Sequence, residues 1–375
     1  MTGAAPTSNP AGSLILGIES SCDETAAAVV RDGRSVLADV VSTQHDLHER
    51  YKGVVPEIAS RAHVERILPV VRSALEAASV RLQEVDAVAV GHRPGLIGSL
   101  LVGTTAAKSL AWAASKPLLA VDHVVAHLFA GLLEREPCAF PALGLVVSGG
   151  HTSLFLVGDP LHLVPIGRTI DDAIGEAFDK AATILGLGYP GGPLVDALAQ
   201  RGNDRAVDFP TAWLGRDADG ERRLDVSFSG LKTALLYAVR GVPERKAKGA
   251  PRGEAPRYAR SAEDLADAEK ADLAASFQRA AVHGVTTVVE RALDRHAVRT
   301  LLVGGGASAN SRLRRDLAAI AERRHLDLRL PTLRWCLDNA AMIAGYAHPR
   351  LLAGERDSLE IAPQPLSGLA SVTVR

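Results

Sequence analysis

One short pattern occurs twice in this chain. Residues 14–30, Leu-Ile-Leu-Gly-Ile-Glu-Ser-Ser-Cys-Asp-Glu-Thr-Ala-Ala-Ala-Val-Val, read as an apolar arm, an acidic and hydroxyl-rich turn, and a second apolar arm. Residues 143–157, Leu-Gly-Leu-Val-Val-Ser-Gly-Gly-His-Thr-Ser-Leu-Phe-Leu-Val, read the same way. Apolar runs of this length around small polar residues predict β-hairpins. After the first hairpin, Ile58, Ala62, Ile67, Val71 and Leu75 recur at helical spacing over 56–80. A strand at 85–90, a helix at 99–115 and a strand at 118–121 follow. This alternation predicts an α/β unit. Its return after roughly 130 residues, too long a period for a solenoid, predicts two related lobes. Each opens with a hairpin.

Composition narrows the class. The chain is 47% hydrophobic and 23% charged, as in a soluble globular protein of one or two domains. A net charge of −1 gives no global sign of a nucleic-acid binder, so any such contact needs a local basic patch. Cys22, Cys138 and Cys336 are too scattered for a disulfide framework or a CxxC site, which favours a reducing cytoplasm. Residues 1–13 carry no positive charge and no apolar core, so they predict a disordered tail rather than a signal peptide. No apolar run of the roughly 18 residues a membrane helix needs is present. Residues 242–264, rich in Arg, Lys, Pro and Gly, predict a mobile basic surface insertion.

Several constellations can carry chemistry. His123 and His127, four residues apart, share one face of a helix and can bind one metal ion if a third ligand arrives from elsewhere. Taken alone, such a pair is better explained by packing or surface exposure. Val124 stands where a zinc-protease motif needs its glutamate, so that general base is absent. Asp172, Glu176 and Asp179 form an acidic stripe on a helix over 171–186, read as a solvated face of mutually repelling charges. Gly304, Gly305 and Gly306 join a strand to a helix, and a backbone without side chains can pack on a base or ribose. Asp338 sits at the start of a helix, where a carboxylate serves as a cap.

Taken in order, the blocks Gly17-Ile-Glu-Ser-Ser-Cys-Asp-Glu-Thr, Gly53-Val-Val-Pro-Glu-Ile-Ala-Ser-Arg-Ala-His, Pro94-Gly-Leu, the His123/His127 segment, Val147-Ser-Gly-Gly-His-Thr, residues 171–180, Gly191-Gly-Pro, Phe228-Ser-Gly-Leu-Lys-Thr, Gly304-Gly-Gly-Ala-Ser-Ala-Asn and Asp338-Asn-Ala-Ala-Met-Ile-Ala resemble the bacterial TsaD family. That family, long named O-sialoglycoprotein endopeptidase, attaches threonylcarbamoyl to N6 of adenosine 37 in tRNAs reading ANN codons.

The resemblance implies a two-lobed actin-like fold, of the sugar kinase, Hsp70 and actin superfamily, with an interlobe nucleotide cleft. The lobes would span 14–137 plus 345–370, and 138–344. It implies a divalent metal, Fe²⁺ or Zn²⁺, on His123, His127 and Asp338. It implies an adenylate site at Val146, Val147, Ser148, Gly149, Gly150, His151, Asp179, Gly192, Asp196 and Asn310. Asp23 and Glu24 would lie near the reacting group, and the donor would be threonylcarbamoyl-adenylate. The implied partners are tRNA, a TsaB-like paralogue and a TsaE-like small ATPase, with no membrane. Arg93, Lys52 and Val125 depart from the residues common in the family, the first two standing where glycine is usual and the third where glutamate is. The rival readings are a small-molecule kinase of the same superfamily, a metalloprotease, and a non-catalytic binding paralogue. The first needs no His₂Asp group, the second lacks its glutamate, and the third lacks the histidines this chain keeps.

Overall fold

A computed structural model describes residues 12–48, 51, 53–216, 220–243 and 258–367. The tail to residue 11, Lys52 and residues 244–257 of the basic insertion lie outside the described residues.

Two five-stranded sheets form the frame. The first contains β1 (Leu14–Glu19), β2 (Glu24–Arg31), β3 (Ser35–Thr43), β4 (Ala87–Arg93) and β5 (Leu118–Asp122), in the order β3-β2-β1-β4-β5. Between these strands come the short α1 (His45–His48), α2 (Pro56–Ala78) and α3 (Ile97–Ala114). After β5 comes α4 (His123–Ala130). The second sheet contains β6 (Ala142–Val147), β7 (Thr152–Asp159), β8 (His162–Arg168), β9 (Thr300–Gly304) and β10 (Asp327–Arg329), in the order β10-β9-β6-β7-β8. Its helices are α5 (Ile174–Ile184), α6 (Gly191–Ala199), α7 (Ser229–Arg240), α8 (Asp267–Arg295) and α9 (Ser311–Arg324). The last helix is α10 (Ala340–Leu352).

The two sheets have the same plan. In each, three antiparallel strands run in sequence, and the first of them pairs on its other edge with a parallel strand. The repeated hairpins of the sequence are therefore β1–β2 and β6–β7. Register is fixed by burial on both faces: every residue of β6 is buried, as are Ile15 to Glu19 of β1.

Core residues divide by face. Leu16, Ile18, Val88 and Val90 pack under α2 and α3. On the opposite face, Ile15, Ala26, Ala28 and Ala89 meet Ala340, Ala341, Ile343 and Ala344 of α10. Helix α10 thus returns to the first sheet after the second is complete. Beyond it, Asp357 accepts from the Ala120 amide, and the Gln364 amide donates to the His92 carbonyl.

Helix α4 lies between the two sheets, and all eight of its residues are buried. Ala126 and Ala130 belong to the first core, while Val124, Val125, Leu128 and Phe129 pack on Ala142, Val146, Phe155 and Leu302 of the second sheet. Val125, one of the family departures, is therefore a packing residue here. Burying Leu128 and Phe129 stabilises by about 1.5–3 kcal/mol each relative to exposure.

Two residues of the triple glycine serve close backbone approaches. A Cβ on Gly304 would lie 1.9 Å from the His127 carbonyl oxygen, and one on Gly305, at φ 93°, would lie 2.3 Å from the Val147 carbonyl oxygen. These glycines let β9 approach the backbone of α4 and β6. Gly304→Ala is expected to destabilise the fold by about 3 kcal/mol and to displace His127. Denaturant unfolding checks the first outcome and zinc binding by the refolded variant the second.

Candidate metal centre and cleft

Asp122, the last residue of β5, caps α4. Its Oδ1 accepts from the Val124 amide at 3.0 Å and the Val125 amide at 3.3 Å. Oδ2 of the same carboxylate takes Arg93 Nε at 3.2 Å and Ser367 Oγ at 2.8 Å. Arg93, the second departure from the family pattern, thus binds the cap of the histidine helix. This cap fixes the first turn of α4, from which His123 and His127 project one turn apart. Their rings are 4.6 Å apart, edge to face.

Asp338 joins them from the turn before α10. Asn339, not Asp338, is the cap of that helix: its Oδ1 accepts from the Met342 amide at 2.8 Å. Asp338 is thereby free of the capping role, and its Oδ1 lies 3.2 Å from His127 Nε2 and 3.5 Å from His123 Nε2. One donor atom from each of the three residues falls within 4.8 Å of the others. His127 is 1% exposed, and among the described residues neither of its ring nitrogens makes a hydrogen bond, its approach to Asp338 being close in distance only. Buried ring nitrogens without partners are costly, and two imidazoles with one carboxylate are a common donor set for a divalent metal. The three residues fit such an ion.

The electrostatics agree. Burial opposes a charge on His123, but Glu19 and Asp338 outweigh it and raise the imidazole to about 10. On Asp338, burial favours the neutral acid, and His123 and His127 overcome it, holding the carboxyl well below its ordinary range. Burial lowers His127 below its usual value.

Glu19 was not singled out from the sequence. At 0% exposure, its Oε2 stands 3.0 Å from His123 Nδ1 and its Oε1 accepts from the Ser21 amide. A lone acid ending an otherwise apolar strand was the available signal.

The β1–β2 tip brings Asp23 and Glu24 to the same cleft. The Asp23 carbonyl accepts from the Gln44 amide at 3.1 Å. Burial, then Asp338 and Asp23, push Glu24 up to about 10. Cys22 beside them is raised far above a reactive thiol's range by burial, Asp23 and Asp338.

Across the cleft, the β6–β7 tip is Ser148 to His151. Ser148 Oγ accepts from the His151 amide at 3.1 Å, and the Ser148 amide donates to the His151 carbonyl at 2.7 Å. A Cβ on Gly149 or Gly150 would meet nothing within 4 Å, so both face open space. His151 is lowered to about 4 by burial and by the neighbouring His123 and His127. Val146 and Val147 are fully buried in β6, behind this turn.

Asp179, Gly192, Asp196 and Asn310 assemble on the second lobe. Asp179 Oδ1 accepts from the Gly191 amide at 2.8 Å, and a Cβ on Gly192 would stand in open space. Asp196 accepts from Gln278 Nε2 at 2.6 Å and from the Ser311 amide and hydroxyl at 3.0 and 2.6 Å, tying α6 to α9. Asn310 caps α9 through the Leu313 amide. The acidic stripe is not a row of solvated, repelling charges. Asp172 precedes α5, Lys180 lies between Asp172 and Glu176 at 2.9 and 2.6 Å, and Lys232 also binds Asp172.

A duplicated two-lobed sheet plan, with a His₂-carboxylate group able to hold a metal beside a glycine-lined turn, defines a protein of actin-like fold. The family model described as TsaD, tRNA N6-adenosine threonylcarbamoyltransferase, matches residues 35–345. The chain belongs to this family. A relative of that name from Symbiobacterium thermophilum is 47% identical over 95% of this chain and 97% of its own. Another, from Trichlorobacter lovleyi, is 49% identical over 95% and 98%. Among solved structures, HypF from T. kodakarensis matches 91% of this chain and 48% of its own, with a TM-score of 0.56 at 17% identity, a likeness of fold. Among the described residues, no helix is long and apolar enough to cross a membrane.

Two outcomes follow for this site. Glu24, raised above its ordinary value of 4.5, costs the metal-free fold stability once pH passes that value, and the cost grows until about 10. Metal-free Glu24→Gln is therefore expected to melt higher than the parent, by a margin that widens from pH 5 to pH 9. Thermal denaturation across that range checks it. For the metal, His127→Ala is expected to lower zinc affinity at least tenfold, read by competition with a chromophoric chelator.

Proposed function

We propose that this chain transfers the threonylcarbamoyl group of threonylcarbamoyl-adenylate to N6 of adenosine 37 in tRNAs reading ANN codons. Membership of the family supports the reaction. The observation that carries its assignment to this cleft is the convergence of His123, His127 and Asp338 within 4.8 Å, beside a turn whose Gly149 and Gly150 face open space.

The donor is a mixed anhydride. The exocyclic amine attacks its carbonyl carbon, the bond from that carbon to the phosphate oxygen breaks, AMP departs and the amine loses one proton. An adenine amine is a poor nucleophile, so positioning and electrostatic stabilisation supply most of the rate. His123, His127 and Asp338 would hold Fe²⁺ or Zn²⁺, as their nitrogen and oxygen donors suit both. When bound, such an ion supplies Lewis-acid stabilisation of developing oxygen charge.

The remaining steps fall to the chain's own groups. The Ser148–His151 turn and Gly192 can bring backbone against the adenylate. Asp179, Asp196 and Asn310 organise the surrounding loops. The amine's proton would pass to a carboxylate of the first hairpin tip, Asp23 or Glu24. No protein nucleophile is needed. A kinase reading leaves the His₂Asp group unexplained, and a protease reading lacks its general base, because Val124 is buried packing.

The partners proposed are tRNA, a TsaB-like paralogue and a TsaE-like small ATPase, in the cytoplasm. Val64 and Leu68 of α2 and Ile97 and Leu101 of α3 are each more than half exposed. An apolar surface of this kind on neighbouring helices supports docking of the paralogue.

His127→Ala is expected to abolish formation of the modified nucleoside while keeping the fold. Nucleoside mass spectrometry of tRNA from depleted cells complemented with the variant or the parent reads this outcome. Full modification by a metal-stripped His127→Ala enzyme would exclude the proposal.

A further inference from the structure

We infer that Glu19 is a positioning residue that fixes His123 in one tautomer, with the proton on Nδ1 and Nε2 free to bind the metal. The inference rests on the metal reading of this cleft and adds a fourth residue, outside the three ligands, that decides how one of them is presented.

Glu19 ends β1, paired with Ala26 of β2, and is fully buried. Burying an ionised carboxylate costs several kcal/mol unless it is paired and hydrogen-bonded. Among the described residues its one ion-pair partner is His123, with Oε2 at 3.0 Å from Nδ1. Oε1 is occupied by the Ser21 amide, and Ser21 Oγ also stands 3.3 Å from Nδ1. The neighbouring strand leaves room for this arrangement: a Cβ on Gly91 would lie 2.5 Å from Glu19 Oε2. A side chain at position 91 would therefore push the carboxylate off the histidine.

Nδ1 of His123 faces Glu19, and Nε2 faces the ligand side, 3.5 Å from Asp338 Oδ1. A neutral ring that binds a metal through Nε2 carries its hydrogen on Nδ1, where the Glu19 oxygen accepts it. The Nε2 atoms of both histidines thus converge on the same carboxylate oxygen. The two histidines are held differently, since neither ring nitrogen of His127 has a hydrogen-bond partner among the described residues. His123 is the oriented ligand of the pair, and a carboxylate behind a metal-binding histidine both sets the ring and raises its basicity.

The experiment pairs zinc affinity with the protonation pattern of the wild-type ring. Purified full-length protein, Glu19→Gln and Glu19→Asp are titrated with zinc against a chromophoric chelator. Glu19→Gln keeps the shape and one acceptor oxygen but removes the charge, and it is expected to weaken zinc 10- to 100-fold. Glu19→Asp, too short to reach Nδ1, is expected to weaken zinc as well. Long-range nitrogen–proton spectra of zinc-loaded, ¹⁵N-histidine-labelled wild-type protein are expected to place the proton of His123 on Nδ1. That spectrum decides the matter even if the variants fail to fold. Wild-type zinc affinity in Glu19→Gln, or metal on Nδ1 of His123, overturns this inference alone. Wild-type protein that takes up no zinc overturns the metal reading and this inference with it.

Discussion

Everything in this molecule converges on a two-turn helix with no exposed face. Helix α4 fills the space between the sheets, with alanines toward the first and Val124, Val125, Leu128 and Phe129 toward the second. A short helix has little intrinsic stability, so tertiary contacts hold it at each point. Asp122 caps its start, β9 crosses its His127 carbonyl through Gly304, and α10 packs along it. The direction left to His123 and His127 is toward Asp338. A metal site built on a fully packed helix can be held within a fraction of an ångström, which a catalytic constellation requires.

The duplicated sheets give this helix its place. Each lobe directs a hairpin tip into the cleft, one acidic with Asp23 and Glu24, the other open at Gly149 and Gly150. The acidic tip lies on the metal side, and burial with nearby Asp338 raises Glu24 to about 10. A cation seated on the three ligands would reverse that environment by favouring the ionised form. Loading the metal and charging the hairpin tip are therefore coupled.

Much of the frame was legible in the sequence because it rests on local periodicity. The two hairpins, the helices at 56–78 and 97–114 and the strand into α4 follow from apolar spacing alone. The His pair was legible too, since four-residue spacing needs only a helix. Asp338 was not readable as a third donor from spacing. It is distant in sequence, sits beside a helix start that suggests a cap, and only the fold shows Asn339 taking that role. Glu19 escaped for a similar reason: a single acid at a strand end carries no periodic signal, and its meaning comes from a histidine on another element. The acidic stripe suggested repulsion: Lys180, four residues after Glu176, was a readable partner, but its contact with Asp172 and that of Lys232 come only with the fold. The triple glycine suggested ligand contact because close backbone crossings cannot be seen from one strand.

The direct measurement is anomalous diffraction from crystals grown with iron or zinc, recorded at the absorption edge of the metal supplied. One peak is expected at about 2.0–2.2 Å from Nε2 of His123, Nε2 of His127 and a carboxylate oxygen of Asp338. A fully loaded protein with no peak there, or with its peak on other residues, would contradict the account.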